Sequence, residues 1–298
     1  MLERFLSYVE IKTKITSLFA FLMTIAFIIY REQEISWKRT IVFFCSMFIF
    51  DLTTTAINNY IDTKTNEQTL QFKRQKSLII IFVLFGISAA LGLYLAFITD
   101  IVVLLLGGLC FLAGVLYTYG PVPISRQPLG EILSGVFYGL FIPFLLLYIN
   151  MPEGTFLSFV IGWDKVSAEI FVRPVLEVLL LSVIPVCTTA NIMLANNICD
   201  VEKDVAVKRH TLPYYLGKKA LILFATLYYL CYADMILMVA LGILSPVCLL
   251  LLPTFLIVQK NINIFMKHQE KATTFVTSII NYITIMGATS LLIFISAL

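Results

Sequence analysis

The sequence predicts an all-α, polytopic membrane protein with about nine transmembrane helices. Of its 298 residues, 60% are hydrophobic and only 13% are charged, whereas soluble domains carry roughly 25% charged residues. The apolar residues also run unbroken, instead of alternating at the period of a helix or strand that is half buried. Both observations indicate segments that cross a lipid bilayer, with the charges confined to the loops between them.

Nine apolar runs are long enough to cross a membrane, because about 20 apolar residues span the hydrocarbon core as a helix. The run Ile15–Tyr30 is predicted to be the first span and not a signal peptide, because no small-x-small cleavage site precedes Arg31 and further spans follow. The predicted spans are Ile15–Tyr30, Thr40–Ile57, Leu78–Ile98, Ile101–Tyr119, Ile132–Ile149, Val175–Ala195, Ala220–Leu241, Ile243–Val258 and Thr273–Ala297.

The basic residues predict the orientation of these spans. With a cytoplasmic N-terminus, 16 of the 21 Lys and Arg residues lie in inner segments and five in outer ones. The positive-inside rule then predicts a multi-pass protein of the cell membrane whose C-terminus lies outside. The longest loop, Asn150 to Arg173, is external in this topology and is expected to hold a short interfacial helix. The net charge of +3 is small, and no nucleic-acid partner is expected.

A motif of asparagine and aspartate occurs twice, at an offset of 138 residues. The first copy spans residues 58–66 and the second spans residues 196–204. Each copy ends an apolar span and opens an inner loop with basic residues. These are Lys73, Arg74 and Lys76 in the first loop and Lys208 and Arg209 in the second. The repeat predicts two pseudo-repeated halves in a single domain over residues 1–298, with two half-sites that face each other across a central cavity.

The acidic residues of the motifs predict a Mg²⁺ site. If the helix from Pro174 continues through the second copy, Asn196, Asp200 and Asp204 lie on one face. Two carboxylates repel each other unless a cation lies between them, and ligands that are all oxygen favour Mg²⁺ over zinc or copper. In the first copy, Asp62 is the acid, and Asn58 and Asn66 add oxygen atoms. The alternative is a solvated helix end with no ligand.

Cations beside such a metal would neutralise a diphosphate, and three basic residues are candidates for this role: Lys208, Arg209 and Arg126. Asn197 and Lys73 are further candidates for substrate binding. Tyr117 and Tyr119 precede a loop rich in Pro and Gly and are expected to wall the cavity, unless this loop is a plain connector.

Asp51 lies seven residues before Asn58 and therefore on the same helix face, deep in an apolar span. A carboxylate at that depth usually faces a polar cavity. It either lines the substrate cavity or forms a structural pair with Thr54, Thr55 or a neighbouring span.

Together these residues resemble the UbiA superfamily of intramembrane prenyltransferases, and within it the 1,4-dihydroxy-2-naphthoate prenyltransferases of menaquinone synthesis. The resemblance covers nearly the whole chain, and Lys208–Leu212 resembles the naphthoate branch. The motifs that carry it are NNYID at Asn58–Asp62, YTYGPVPIS at Tyr117–Ser125, PLGE at Pro128–Glu131 and NNICDVEKDVAVKRHTLP at Asn196–Pro213. The first motif departs from the superfamily pattern, because Asn59 and Asn66 stand at two acidic positions. Its half-site is therefore poorer in charge, and Glu67 is a candidate to supply that charge.

The resemblance implies nine spans around a cavity that opens to the cytoplasmic side. It further implies that Asp62, Asp200 and Asp204 hold Mg²⁺ and the diphosphate of a polyprenyl donor, while Lys208 and Arg209 close over it. Tyr117 or Tyr119 would shield the allylic cation. The acceptor is then a naphthoate ring, which loses CO₂ to give a demethylmenaquinone-type product.

Two groups of alternatives stay open. Within this enzyme class the acceptor is instead 4-hydroxybenzoate, homogentisate or a porphyrin such as haem. In a different class, the repeated motifs form the ion site of a cation transporter. The carboxylates of such a transporter are expected near the bilayer midplane, whereas both motifs lie at loop boundaries. The prenyl length and the oligomeric state do not follow from the sequence.

Overall fold

A computed structural model describes residues 1–64, 69–120, 123–161, 163–164 and 166–298. Within these residues, the helices are α1 (Leu2–Tyr8), α2 (Ile15–Tyr30), α3 (Trp37–Asp62), α4 (Arg74–Phe97), α5 (Ile101–Thr118), α6 (Gly130–Val136), α7 (Ile142–Tyr148), α8 (Val172–Ala206), α9 (Leu212–Leu216), α10 (Lys219–Ala240), α11 (Phe255–Lys267) and α12 (Val276–Ile295), and the strands are β1 (Leu157–Ile161) and β2 (Val166–Ile170). Nine segments of this described part are long and apolar enough to cross a membrane, which confirms the predicted nine spans.

The fifth span is interrupted by a π-helical turn at Phe137–Phe141, between α6 and α7. This turn lies against α8, and a Cβ added to Gly139 would be 2.3 Å from the backbone nitrogen of Val186. Pro185 lies inside α8 at this point. The π turn therefore depends on a glycine, and it turns Phe137 and Tyr138 toward the interior of the bundle.

The eighth span also extends beyond its prediction. It begins with a 3₁₀ segment, Pro246–Thr254, and continues through α11 to Lys267, so it ends nine residues beyond the predicted Val258. One face of α11 is polar, so the second half of this span contains too few apolar residues to be recognised from an unbroken apolar run. Asn261 is buried within this half, where its side-chain amide donates to Asn281 Oδ1 of α12 at 2.8 Å.

The prediction of an interfacial helix between Asn150 and Arg173 is wrong. That segment contains the antiparallel pair β1–β2, in which Leu157 lies opposite Ile170. Both strands contain β-branched residues, which favour strands over helices.

The short helix α1 packs under α3 and forms a small hydrophobic cluster with α3 and α4. Tyr8 is fully buried there, and its hydroxyl donates to the backbone oxygen of Ala56 at 2.9 Å. Burial raises the pKa of Tyr8 to about 12. This contact holds the N-terminal segment beside the first motif.

Candidate active site

The second motif lies on a helix that continues unbroken to Ala206, which is the condition for its three residues to share a face. Asn196, Asp200 and Asp204 therefore share one face of α8. With 35 residues, α8 is about 50 Å long. It is longer than a bilayer core of about 30 Å, so the acidic residues at its end can lie beyond the hydrocarbon.

The end of α8 positions the basic residues that follow the aspartates. Lys208 adopts a left-handed backbone conformation with φ of 57°. The Arg209 N–H donates to the Asp204 backbone oxygen at 2.8 Å, and the Lys208 N–H donates to Val205 at 3.0 Å. These two bonds form the Schellman motif, which reverses the chain at a helix end.

This reversal returns the Arg209 side chain to the motif. Its guanidinium Nη1 lies 3.7 Å from Asp204 Oδ1, and its Nε donates to the Ser125 backbone oxygen at 2.8 Å. The His210 N–H also donates to the Arg126 backbone oxygen at 3.1 Å. Arg209 thus joins the second motif to the loop between α5 and α6.

The first motif ends α3, and Asp62 is exposed there. Asn58 accepts a hydrogen bond from the Thr118 hydroxyl of α5. Asn59 faces the N-terminal segment instead, because its amide donates to the Tyr8 backbone oxygen at 2.9 Å and to Glu10 Oε1 at 3.2 Å. Asn66, the last residue of this motif, lies outside the described residues, as does Glu67.

The two motifs lie at the same end of the bundle, which we call the motif end. Asp62 interacts electrostatically with Arg209 and Arg126. Tyr117 is within electrostatic range of Arg209, Asp62 and Asp204. Gly130 makes room for this tyrosine, since an added Cβ would lie 3.1 Å from its hydroxyl. The structure therefore brings charged residues of both motifs to one end of the bundle, and that they form two half-sites stays a prediction.

Buried oxygen atoms without a partner lie beside the second motif. In the described part of the chain, Asp204 Oδ2, Asn197 Oδ1 and Glu131 Oε2 are buried and accept no hydrogen bond. Asn197 Nδ2 donates to the other Glu131 oxygen at 2.8 Å. An unsatisfied buried oxygen is costly, and a hard cation such as Mg²⁺ takes oxygen ligands. These residues therefore fit a Mg²⁺ ion.

Three or more acidic, His or Cys side chains do not converge on one point anywhere in the described residues. The Asp200 carboxylate contacts the ammonium group of Lys271. Asp62 and Asp204 lie on separate helices, α3 and α8. A cation would therefore need oxygen atoms of a substrate as well as those of the protein.

A cavity of about 440 Å³ extends from the motif end into the bundle. Asn58 and Asn196, the first residues of the two motifs, line it together with Tyr117. Its deeper walls are largely apolar and include Phe43 and Phe141. The cavity thus joins a polar end, where the first residues of both motifs lie, to an apolar interior.

One buried polar cluster interrupts the apolar wall of this cavity. Asp51 accepts hydrogen bonds from Lys14 Nζ at 2.8 Å, from Ser17 Oγ at 2.7 Å and from the Tyr138 hydroxyl at 2.7 Å. Lys14 and Asp51 have side chains that are each 4% exposed. Asp51 therefore lines the cavity and also forms an ion pair with Lys14, which lies at the start of the first span.

Four further predicted site residues have exposed side chains. Tyr119 is 64% exposed, and the expectation that it walls the cavity is wrong, because α5 ends at Thr118 and the chain continues in an extended conformation. The side chains of Lys73, Lys208 and Arg126 are exposed at the motif end.

Sequence reasoning missed four residues that the fold brings to the site. Glu131 and Lys14 are charged residues at the ends of apolar spans, and this position alone could have marked them as candidate site residues. Tyr138 and Lys271 gave no signal, because their partners are 87 and 71 residues away in the chain.

A model of the UbiA prenyltransferase family matches residues 18–283. The chain belongs to this family. A relative in Bacillus subtilis (strain 168), a 1,4-dihydroxy-2-naphthoate octaprenyltransferase, is 31% identical over 163 residues. This alignment covers 54% of the chain and 46% of the relative, so the match spans about half the length of each protein.

Solved structures share the UbiA fold over nearly the full chain. A digeranylgeranylglyceryl phosphate synthase gives a TM-score of 0.67 at 18% identity, covering 99% of this chain and 98% of that protein. A UbiA homologue from Aeropyrum pernix K1 gives 0.65 at 16% identity, with 92% and 96% covered. A UbiA homologue from Archaeoglobus fulgidus, bound to DMAPP and Mg²⁺, gives 0.59 at 12% identity, with 97% and 99% covered. At these identities the likeness shows the fold.

Proposed function

We propose that this protein transfers a polyprenyl group from its diphosphate to an aromatic acceptor, and that the acceptor is 1,4-dihydroxy-2-naphthoate. The observation that carries this proposal is that charged and oxygen-bearing side chains of both motifs lie at the motif end, where a largely apolar cavity of about 440 Å³ begins. A diphosphate needs the motif end, and a prenyl chain needs the apolar walls. The naphthoate octaprenyltransferase relative supports the acceptor, and the homologue bound to DMAPP and Mg²⁺ supports the donor.

In this proposal the motif end binds the donor diphosphate. Asp200, Asp204 and Asp62 would hold Mg²⁺, with Asn196 and Asn58 as further oxygen ligands. When bound there, the ion would neutralise negative charge on the leaving group. Arg209 is held between Asp204 and Ser125, and Arg126 acts electrostatically on the same site. Both arginines are placed to stabilise a departing diphosphate.

The reaction breaks the allylic C–O bond, and both bonding electrons leave with the diphosphate. Tyr117 and the apolar walls exclude water from the allylic cation that remains, and the ring face of Tyr117 stabilises it. A carbon of the electron-rich acceptor ring then forms the new C–C bond. The bond from that carbon to its carboxylate breaks, CO₂ leaves, and the electrons of that bond return to the ring.

The polar cluster around Asp51 is the proposed place for the polar groups of the acceptor. Asp51 is held by Lys14, Ser17 and Tyr138, so its carboxylate is fixed in position within an apolar wall. A hydroxyl group of the acceptor can donate to this carboxylate, which orients the ring toward the motif end. The orientation predicted from the charges puts the motif end on the cytoplasmic side, and the bilayer surrounds the spans.

The test is a reaction with purified protein in detergent, a polyprenyl diphosphate and Mg²⁺. We expect a product from 1,4-dihydroxy-2-naphthoate whose mass equals donor chain plus acceptor after loss of CO₂ and diphosphate. Turnover is expected to stop in EDTA. A product formed only from 4-hydroxybenzoate or homogentisate would contradict the acceptor, and full turnover in EDTA would contradict the metal. The absence of any prenylated product would overturn the proposed function.

A further inference from the structure

The loop between α11 and α12, residues 268–275, forms a third wall of the motif end. Phe275 lines the cavity, and the Lys271 ammonium group donates to Asp200 Oδ2. The Lys271 side chain is 48% exposed, whereas that of Asp200 is 14% exposed. Lys271 therefore reaches from solvent to a carboxylate that the protein largely covers.

The backbone of this loop is fixed by its own hydrogen bonds. The Glu270 N–H donates to Thr274 Oγ1 at 2.9 Å, and the Thr274 N–H donates to the Glu270 backbone oxygen at 2.9 Å. A hydrogen bond from the Thr273 hydroxyl is the main cause that lowers the pKa of Glu270. The base of Lys271 is thus held in place, while its side chain has four rotatable bonds to solvent.

Asp200 is also one of the carboxylates expected to hold a divalent cation. An ammonium group and a metal ion compete for the same carboxylate oxygen, because both are attracted by its charge. A lysine released from Asp200 stays within a side-chain length of the diphosphate that the proposed function places at the motif end. Its compact charge then suits a phosphate oxygen.

We propose that Lys271 exchanges partners during donor binding. It pairs with Asp200 until a divalent cation takes that carboxylate, and it then pairs with the donor diphosphate. This inference rests on the proposed function, and it adds to the donor site a cation that neither motif contains. It also makes metal binding and donor binding respond to Lys271 in opposite directions.

The test measures binding and not turnover. Binding of Mn²⁺ to the purified full chain is measured by electron paramagnetic resonance at low ionic strength, and binding of inorganic pyrophosphate is measured in saturating Mn²⁺. Lys271→Gln is expected to lower the Kd for Mn²⁺ about two- to fivefold, as for the loss of a partly exposed ion pair. The same variant is expected to raise the Kd for pyrophosphate by about tenfold, since a charge-assisted hydrogen bond is lost.

Two further variants serve as controls. Lys267→Gln removes the same charge from the exposed end of α11 and is expected to leave both constants unchanged. Lys271→Arg keeps the charge and is expected to restore pyrophosphate binding to near the wild-type value. Thermal unfolding of each variant verifies that the fold is kept.

Opposite changes in the two constants support the exchange. Unchanged constants in Lys271→Gln, or a weakening of both, would overturn it while the proposed function stands. A wild-type chain that binds neither Mn²⁺ nor pyrophosphate would overturn the proposed donor site and this inference together.

Discussion

Replacing Gly139 by alanine tests how the π turn positions the cavity. An added Cβ would lie 2.3 Å from the Val186 nitrogen, 2.5 Å from its Cα and 2.6 Å from the carbonyl carbon of Pro185. All three are backbone atoms of α8, so no flexible side chain can move aside. Ordinary contacts lie near 3.5 Å, so the π turn and α8 must separate by about 1 Å.

Overpacking of this kind costs about 3 kcal/mol, the upper part of the usual range, because only backbone can yield. For a chain of this size that cost lowers the Tm by about 5 °C. Tyr138 belongs to the same turn, and its hydroxyl lies 2.7 Å from Asp51. A shift of about 1 Å weakens this hydrogen bond, so we also expect a raised KM for the acceptor.

The assay is thermal unfolding in detergent with a thiol-reactive fluorophore. The chain supplies its own probes, because Cys187, Cys231 and Cys248 are buried and become reactive only when the bundle opens. Gly86→Ala is the matched control, since a Cβ there would meet no atom within 4 Å. This control is expected to keep the wild-type Tm or to raise it slightly through helix propensity. If Gly139→Ala and Gly86→Ala have the same Tm, the close approach of the π turn to α8 is refuted.

Three other outcomes are expected. Asp204→Asn should depress turnover even at saturating Mg²⁺, whereas Asp62→Asn should chiefly raise the Mg²⁺ concentration that is needed, because the second motif has two carboxylates. Titrations of initial rate against Mg²⁺ separate the two effects. Equal half-saturation in Asp62→Asn and wild type would remove Asp62 from the metal site. Lys203→Cys should resist an impermeant thiol reagent added outside intact cells, and ready labelling would reverse the predicted orientation. Lys208→Gly should stabilise the protein by about 1 kcal/mol in thermal scans, because glycine adopts the left-handed conformation without strain; a lower Tm would show that the lysine side chain stabilises this helix end.

The identity of the motif residues followed from the sequence because charged and amide groups are rare in a chain that is 60% hydrophobic. Asp200 and Asp204 end a long apolar run, and the helix that carries them is continuous. Their common face therefore follows from helix period alone. The nine spans could also be predicted from the sequence, since insertion into the membrane depends on the local number of apolar residues. The predicted end of the eighth span was wrong because α11 is amphipathic, and its polar residues lower the local number of apolar residues.

Contacts between spans depended on the tertiary structure. Lys14 and Asp51 are separated by 37 residues, and Tyr138 lies 87 residues from Asp51. An apolar pattern shows that a helix is in the membrane, but lipid and protein are equally apolar neighbours, so it does not show which face meets which helix. Close packing decides this, as where Gly139 admits the backbone of α8. The sequence by itself therefore determined the family, the spans and the acidic motifs, while packing decided which charges Asp51, Asp200 and Asn59 meet.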